Sequence, residues 1–374
     1  MGALSAGVAV EMAALLRELV EIESPSTSPQ GVTTLAQRLS RELQPLGLRP
    51  ELLPVDGAGP ILRGRSDVRG AAVMLLGHLD TVWPIGTLAA RPVRVEGDRL
   101  FGPGAYDMKA GLVVVLFALR RLREAGRSVP VTVFFTPLEE TGGLPYRTVM
   151  ETEMRASRAV LDFEPAWPGG AVKTARKGAG SYVLTAHGKA AHAGADLGKG
   201  ANAILEIARQ VERLSGLTDL ERGSSVNVGV VRGGVRPNVV PDSAAIEIDV
   251  RYRTLADRER LDAAVRAFSP SVPGVRLEIE GGLNCPPLER GPHVVSVYEK
   301  ARAAARELGF ELEEVATGGA SEASFASALG IPTLDGLGAD GDGAHAEDEH
   351  VLLSSLPERA ALAAGLIEKL VGLT

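Results

Sequence analysis

The sequence has a single cysteine, Cys285, so no internal disulfide can form and a disulfide-stapled secreted scaffold is excluded. Beside Pro286 it reads as an inert loop thiol. Long apolar runs are missing too: the stretch Leu112 to Leu119 is far short of the ~20 residues that a membrane-spanning helix needs. Basic charge is in deficit. With 40 Lys and Arg against 47 Asp and Glu, the net charge is −7, which argues against the basic face that nucleic-acid binding requires. No basic region opens the chain, and Glu11 interrupts its first apolar stretch, so a secretory signal is not expected. Met1-Gly2 starts like a myristoylation motif, but Ala6 stands where that motif has Ser or Thr. Internal repeats, linkers and low-complexity tracts are also lacking. These absences point to a cytoplasmic protein that engages neither membranes nor nucleic acid.

What is present suffices for a large core. Hydrophobic residues make up 45% of the 374, and the length suggests about two domains. The 44 glycines follow no period, so they mark turns rather than a collagen repeat. Through the first half, strand and helix signals alternate. Helices are expected over 9–22 and 32–46, the second closed by Gly47, and over Lys109 to Glu124 with Gly126 as its cap. The basic run Arg120, Arg121 and Arg123 suits the last turn of that helix, where the dipole favours cations. Short apolar runs at Ala71 to Leu76, Val129 to Phe135 and Ala159 to Phe163 read as buried parallel strands. This order predicts an α/β domain with helices on both faces of a mostly parallel sheet.

The middle of the chain follows another pattern. Strands are expected at Gly180 to His187, Ser225 to Arg232, Ala244 to Tyr252 and Val275 to Glu280, with helices at 201–214 and 256–268. In the third strand Ile246, Ile248 and Val250 alternate with Glu247, Asp249 and Arg251. Strand-helix-strand-strand-helix-strand is the ferredoxin-like α+β order. After Pro286 and Pro287 the first pattern resumes, with helices at 293–308, 321–329 and 355–371 and strands at 311–316 and 331–335. The sequence therefore reads as one α/β catalytic domain in two parts, 1–175 and 287–374, interrupted by an inserted domain over 176–286.

Five polar residues stand where such a sheet places its chemistry, just past strand ends or glycine turns. His78 follows the first buried strand in Gly77-His78-Leu79-Asp80, and Asp80, two residues on, would lie on the same side of an extended chain. Asp107 opens an apolar helix after Phe101-Gly102-Pro103-Gly104; it could be a plain N-cap, but the glycine-rich approach suits a backbone packed close to a site. Glu139-Glu140 follows the second strand and ends at Gly142-Gly143, and Glu164 follows the third. Adjacent buried carboxylates repel and lose solvation, a penalty that a dication removes. His345 lies in a late glycine-rich turn, with Glu349 and His350 as candidate supports. Imidazole plus carboxylate is a ligand set for zinc or a similar cation, and five such ligands suit two ions bridged by one carboxylate, leaving Glu139 free as a base. His187 and His293 have no acidic cluster beside them in sequence and read as packing or surface residues.

The motifs His78-Leu79-Asp80-Thr81-Val82, Gly102-Pro103-Gly104 with Asp107-Met108-Lys109-Ala110-Gly111, Glu139-Glu140-Thr141-Gly142 and Phe163-Glu164-Pro165 resemble the dizinc aminoacylase and carboxypeptidase family. The resemblance runs nearly end to end, includes the inserted domain and is nearest the glutamate carboxypeptidase branch. One departure is Gly318-Gly319-Ala320-Ser321-Glu322, where many members carry Asp after the Ser or Thr.

The resemblance implies roles. His78 and Glu164 would hold one metal, Glu140 and His345 the other, and Asp107 would bridge them through a segment whose Asp107-Met108 peptide is cis. Asp80 would orient His78, and Glu139 would be the general base for a metal-bridged water. The ions would be zinc, with cobalt or manganese as alternatives. The substrate would be a small peptide or N-acyl amino acid with a free carboxylate, bound by Asn238 and Arg251, with His192 on the developing oxyanion across a homodimer formed by the inserted domain. A dinuclear-metal phosphoesterase could use similar ligands, but would need basic residues facing the phosphate. A non-catalytic binding paralog would be expected to lack the base or a ligand, and here none is missing.

Overall fold

The computed structural model describes residues 6–142 and 145–373. Met1 and Gly2 with their myristoylation motif, and Gly143 at the end of the acidic turn, lie outside the described residues. The chain divides into two compact units. The first comprises residues 1–175, 290–317 and 321–374, and the second 176–289 with 318–320.

The first unit is built on a six-stranded sheet in the order Leu48–Leu53, Ile61–Ser66, Val131–Thr136, Val73–His78, Ala159–Asp162 and Thr333–Leu334. Its last four strands pair in parallel, while Ile61–Ser66 runs antiparallel to both neighbours. Every residue of Val73–His78 and Val131–Thr136 is buried, as expected of apolar strands covered on both faces. The expected start at Ala71 moves to Val73 because the solvent-exposed stretch Arg69-Gly70-Ala71 does not join the ladder. His78 is in consequence the final strand residue, paired with Thr136, rather than the first of the loop.

Two strands escape the apolar reading altogether. Leu48–Leu53, at the sheet edge, carries a proline and shows mostly half-exposed or exposed positions, as an edge tolerates, and Ile61–Ser66, paired on both sides, holds two arginines and a glycine. The helix Pro29–Leu43 begins with proline at its first position and Ser28 as its cap, whose hydroxyl accepts from the Gly31 N–H at 3.2 Å. Its stripe Val32, Leu35, Ala36, Leu39 and Leu43 is buried. The helix Ala110–Glu124 runs almost wholly buried through the core. A helix at Arg147–Ala156 and a small sheet of Arg94–Glu96, Arg99–Phe101, Gly341–Asp342 and His350–Leu352 were not signalled by the pattern.

The second unit is a four-stranded antiparallel sheet in the order Ser225–Gly233, Ser243–Tyr252, Gly178–His187, Arg276–Cys285. Helices Ala203–Ser215 and Leu255–Arg266 pack on it through Ile207, Leu214, Leu261 and Val265, against Tyr182, Leu184, Ile246, Ile248 and Val250. This is the ferredoxin-like order. The unit runs to 289 because Leu288 pairs with Arg176 (3.1 and 2.9 Å), and it takes in 318–320 because the Arg176 guanidinium donates to the carbonyls of Gly319 and Ala320. No described helix is long and apolar enough to cross a membrane.

Candidate metal centre

The parallel strands deliver the acidic residues to one place in the first unit. His78 is 2% exposed at the end of Val73–His78, with its backbone N–H against Met108 Sδ at 3.0 Å. Its Nε2 lies 3.2 Å from Asp107 Oδ1 and 3.4 Å from Glu164 Oε1. His345 arrives from the other end of the sequence, on a turn where its φ is +62°. Its Nε2 lies 3.3 Å from Asp107 Oδ2 and 3.1 Å from Glu140 Oε2. Asp107 thus offers one oxygen to each imidazole. The Asp107-Met108 peptide is cis. Gly104 (φ +71°) needs both its left-handed backbone and its missing side chain, because a Cβ there would collide with Thr81.

Asp80 does two jobs, and one was not foreseen. Its backbone carbonyl, 2.9 Å from His78 Nδ1, is the atom that fixes the imidazole; its carboxylate is 3.5 Å away. The carboxylate instead accepts from the N–H groups of Glu139 (3.0 Å) and Glu140 (3.2 Å) and from Ser26 Oγ (2.6 Å). An extended chain brings residues 78 and 80 to one side, but a carboxylate next to two free N–H donors is drawn to them instead. Asp80 therefore anchors the Glu139–Thr141 turn as well as His78.

The electrostatics call for positive charge. Burial lowers the His78 pKa, but its bonds to Asp107, Asp80 and Glu164 outweigh this and hold it well above the usual value. His345 is raised to about 10 by Asp107 and Glu140. Burial would raise Asp107, yet the two imidazoles hold it far below the ordinary carboxylate range. Burial pushes Glu139 well up, with Glu164 adding to the effect. Burial also raises Glu140, against the pull of His345. Glu140 Oε1 is buried with no hydrogen-bond partner among the described residues. Candidate ligand atoms fall into two groups, His78 with Asp107 and Glu140, and His78 with Glu139 and Glu164. Divalent ions here would neutralise the carboxylates and give Glu140 Oε1 a partner, so the residues fit such ions.

A further buried acid lies behind the site. Glu322 accepts from Thr136 Oγ1 (2.8 Å) and Tyr146 OH (2.6 Å), and burial pushes it up to about 7. It stands at the departure from the family pattern noted in the sequence, although its partners could not be read there. Of the two candidate supports after His345, Glu349 points inward to the Asp107 segment, whereas His350 stacks near Phe101 with its Nδ1 on the Asp348 carbonyl. His187 meets Glu278 at the surface of the second unit (3.0 Å), and His293 meets Ser327 in the first (3.2 Å).

The substrate candidates lie in the second unit. His192 and Asn238 are neighbours: His192 bridges Val239, and the Ala193 N–H donates to the Asn238 carbonyl at 3.0 Å. His192 Nδ1 accepts from the N–H groups of Gly194 and Ala195, both at 3.1 Å, which leaves Nε2 as the protonated, donating nitrogen. Arg251 is not brought to them. It sits at the far end of its strand, eight residues past Ser243 and so roughly 27 Å along it, with its guanidinium on Asp249 at 2.9 and 3.0 Å.

The sequence model of Peptidase family M20/M25/M40 matches residues 74–369. Carboxypeptidase G2 of Pseudomonas sp. (strain RS-16) is 33% identical over 365 residues, covering 94% of this chain and 87% of the relative. Among solved structures, the M20 family metallo-carboxypeptidase Sso-CP2 of Sulfolobus solfataricus shares the fold with a TM-score of 0.76 at 18% identity, covering 97% of this chain and 100% of the other. The Bacillus subtilis YXEP protein, a dinuclear metal binding peptidase from the M20 family, does so with a TM-score of 0.65 at 18% identity, covering 99% and 100%. The chain belongs to peptidase family M20/M25/M40 and is a metallopeptidase that hydrolyses peptide or amide bonds.

Proposed function

We propose that this metallopeptidase is a carboxypeptidase or N-acyl-amino-acid amidohydrolase, releasing a C-terminal amino acid from a small substrate with a free carboxylate. The observation that carries the reading is Asp107, which offers one oxygen to each of two imidazoles while Glu140 and Glu164 flank them. In this reading His78 and Glu164 hold one ion, Glu140 and His345 the other, and Asp107 both. Bound divalent ions, zinc on the ligand chemistry with cobalt or manganese as alternatives, supply Lewis acidity for the scissile carbonyl and lower the pKa of water.

The remaining chemistry falls to the chain. Glu139 takes a proton from the attacking water on its carboxylate and delivers it to the leaving nitrogen; its burial, which raises its affinity for a proton, suits that role. Asp80 keeps Glu139 in place through the turn it anchors. In the second unit, the Nε2–H of His192 donates to the developing oxyanion across the homodimer, and Asn238 and Arg251, held far apart within one chain, bind the substrate carboxylate from different protomers. Arg251 must exchange Asp249 for that carboxylate, so it is the assignment most exposed to test. The enzyme is read as a cytoplasmic homodimer joined through the second unit. Support comes from the edge strand Ser225–Gly233 with exposed Val231, and from exposed Val235 just beyond it.

The test is a panel of N-acyl amino acids and dipeptides ending in Glu, Asp, Ala or Leu, their C-terminal amides, and phosphate esters, assayed with defined metals. Turnover confined to free-carboxylate amide substrates is expected. Turnover of phosphate esters alone would overturn the reading. Arg251→Ala should raise KM for acids and much less for amides, and an equal effect on both removes Arg251 from the pocket.

A further inference from the structure

Glu349 is 2% exposed, and its side chain is surrounded by donors. Oε1 accepts from the backbone N–H groups of Tyr106 and Asp107, both at 3.0 Å. Oε2 accepts from the Gly104 N–H at 2.9 Å and the Trp83 indole at 2.7 Å. The Glu349 carbonyl takes a further N–H from Gly102 at 3.3 Å. One residue therefore holds the approach from Gly102 to Asp107 at four of its N–H groups. It also closes the turn that carries His345, through its own N–H on the Ala346 carbonyl at 3.2 Å.

We infer that Glu349 is a positioning residue that presets Asp107 for the metal ions, tying the Asp107 backbone to the turn of His345 and to Trp83. The inference rests on the metal reading above. The chemistry is specific to a carboxylate: four donors need two oxygens with two lone pairs each, and an amide offers only one such oxygen. In Glu349→Gln, two of the donors would face an NH2 group. The same device occurs a second time in the unit, where the Asp80 carboxylate holds the N–H groups of Glu139 and Glu140. Two of the three acidic segments of the centre, those of Asp107 and of Glu139-Glu140, are thereby pinned at their backbones by a carboxylate that keeps out of the ligand set, leaving the ligand side chains free to face the ions.

The experiment is calorimetric titration of the metal-free protein with zinc, run on the parent chain, Glu349→Gln, Trp83→Phe and Leu214→Ala, with thermal unfolding alongside. Glu349→Gln should bind zinc roughly 10–100-fold more weakly, the range typical of residues that orient metal ligands. Trp83→Phe removes one donor and keeps the carboxylate, so a loss of a few fold is expected. Leu214→Ala opens a cavity in the second unit and should lower Tm without moving zinc affinity. Parent-like zinc affinity in Glu349→Gln overturns the inference. If that variant does not fold, Trp83→Phe decides: parent-like affinity there also overturns it. Weakening by Leu214→Ala to the same degree as Glu349→Gln would reduce Glu349 to a structural role. A parent chain that binds no zinc defeats the metal reading itself, which is a separate result.

Discussion

His78 and His345 reach the two oxygens of Asp107, but they are held in opposite ways. His78 is 2% exposed, continues a buried strand and has its second nitrogen fixed by the Asp80 carbonyl. His345 has a half-exposed side chain, sits on a surface turn in left-handed backbone and meets the site through Nε2 alone among the described residues. Glu164 and Glu139 group with the buried imidazole, and Glu140 groups with it too but contacts the exposed one at 3.1 Å. The contrast teaches that half of the centre is set by the folding of the sheet. The other half depends on a turn that the core does not fix, held by hydrogen bonds such as those of Glu349.

The strongest test of the buried half is Glu139→Gln. Metal content should remain while kcat falls about 10²–10⁴-fold, because the amide cannot take the proton. Parent-like turnover with metal retained would remove Glu139 from the reaction. The imidazoles should next differ in the metal-free protein. His78→Ala takes one cationic partner from buried Asp107 and Glu164, leaving His345 on the first and Lys173 near the second, and should cost roughly 1–3 kcal/mol in urea unfolding. His345→Asn, which keeps a residue tolerant of the left-handed backbone, should cost less, up to about 1 kcal/mol, because solvent screens the pairs of this half-exposed imidazole with Asp107 and Glu140, while losing metal. Equal costs would break the comparison.

Glu322 gives a pH test of the buried side. Its pKa near 7 in the fold lies above the ordinary 4.5, so the folded chain keeps a proton that the unfolded chain releases. Stability therefore falls as pH rises from about 4.5 through 7, by on the order of 3 kcal/mol. Glu322→Gln cannot ionise, and its amide can donate to Thr136 while still accepting from Tyr146. Relative to the metal-free parent, this variant should gain stability between pH 5 and pH 8; parallel curves would contradict the assignment. The smallest effect concerns kinetics: a chelator should strip the ion nearer His345 before the one nearer His78, giving two phases in metal release.

Much of this is legible in the sequence alone. Apolar runs ending at Gly77, Pro137 and Pro165 marked the parallel strands, and the acids just past them proved to converge. What stayed hidden was the support. Glu349 reaches Asp107 across 242 residues and Trp83 across 266, and spacing carries no trace of such a contact. The sequence suggests the Asp80 carboxylate as the partner of the His78 ring because two-residue spacing shows which side a carboxylate faces, not which donors compete for it. The strands Leu48–Leu53 and Ile61–Ser66 were lost because their polar and proline positions do not alternate as a half-buried strand should.

Hydrolysis should depend on metal held by these residues. Turnover of an N-acyl glutamate by the metal-free chain, followed as zinc is added back, tests it most directly. No turnover should occur at the start, and the rate should rise to saturation at two ions per chain. Hydrolysis by the metal-free chain that neither a chelator nor added zinc alters would contradict the account.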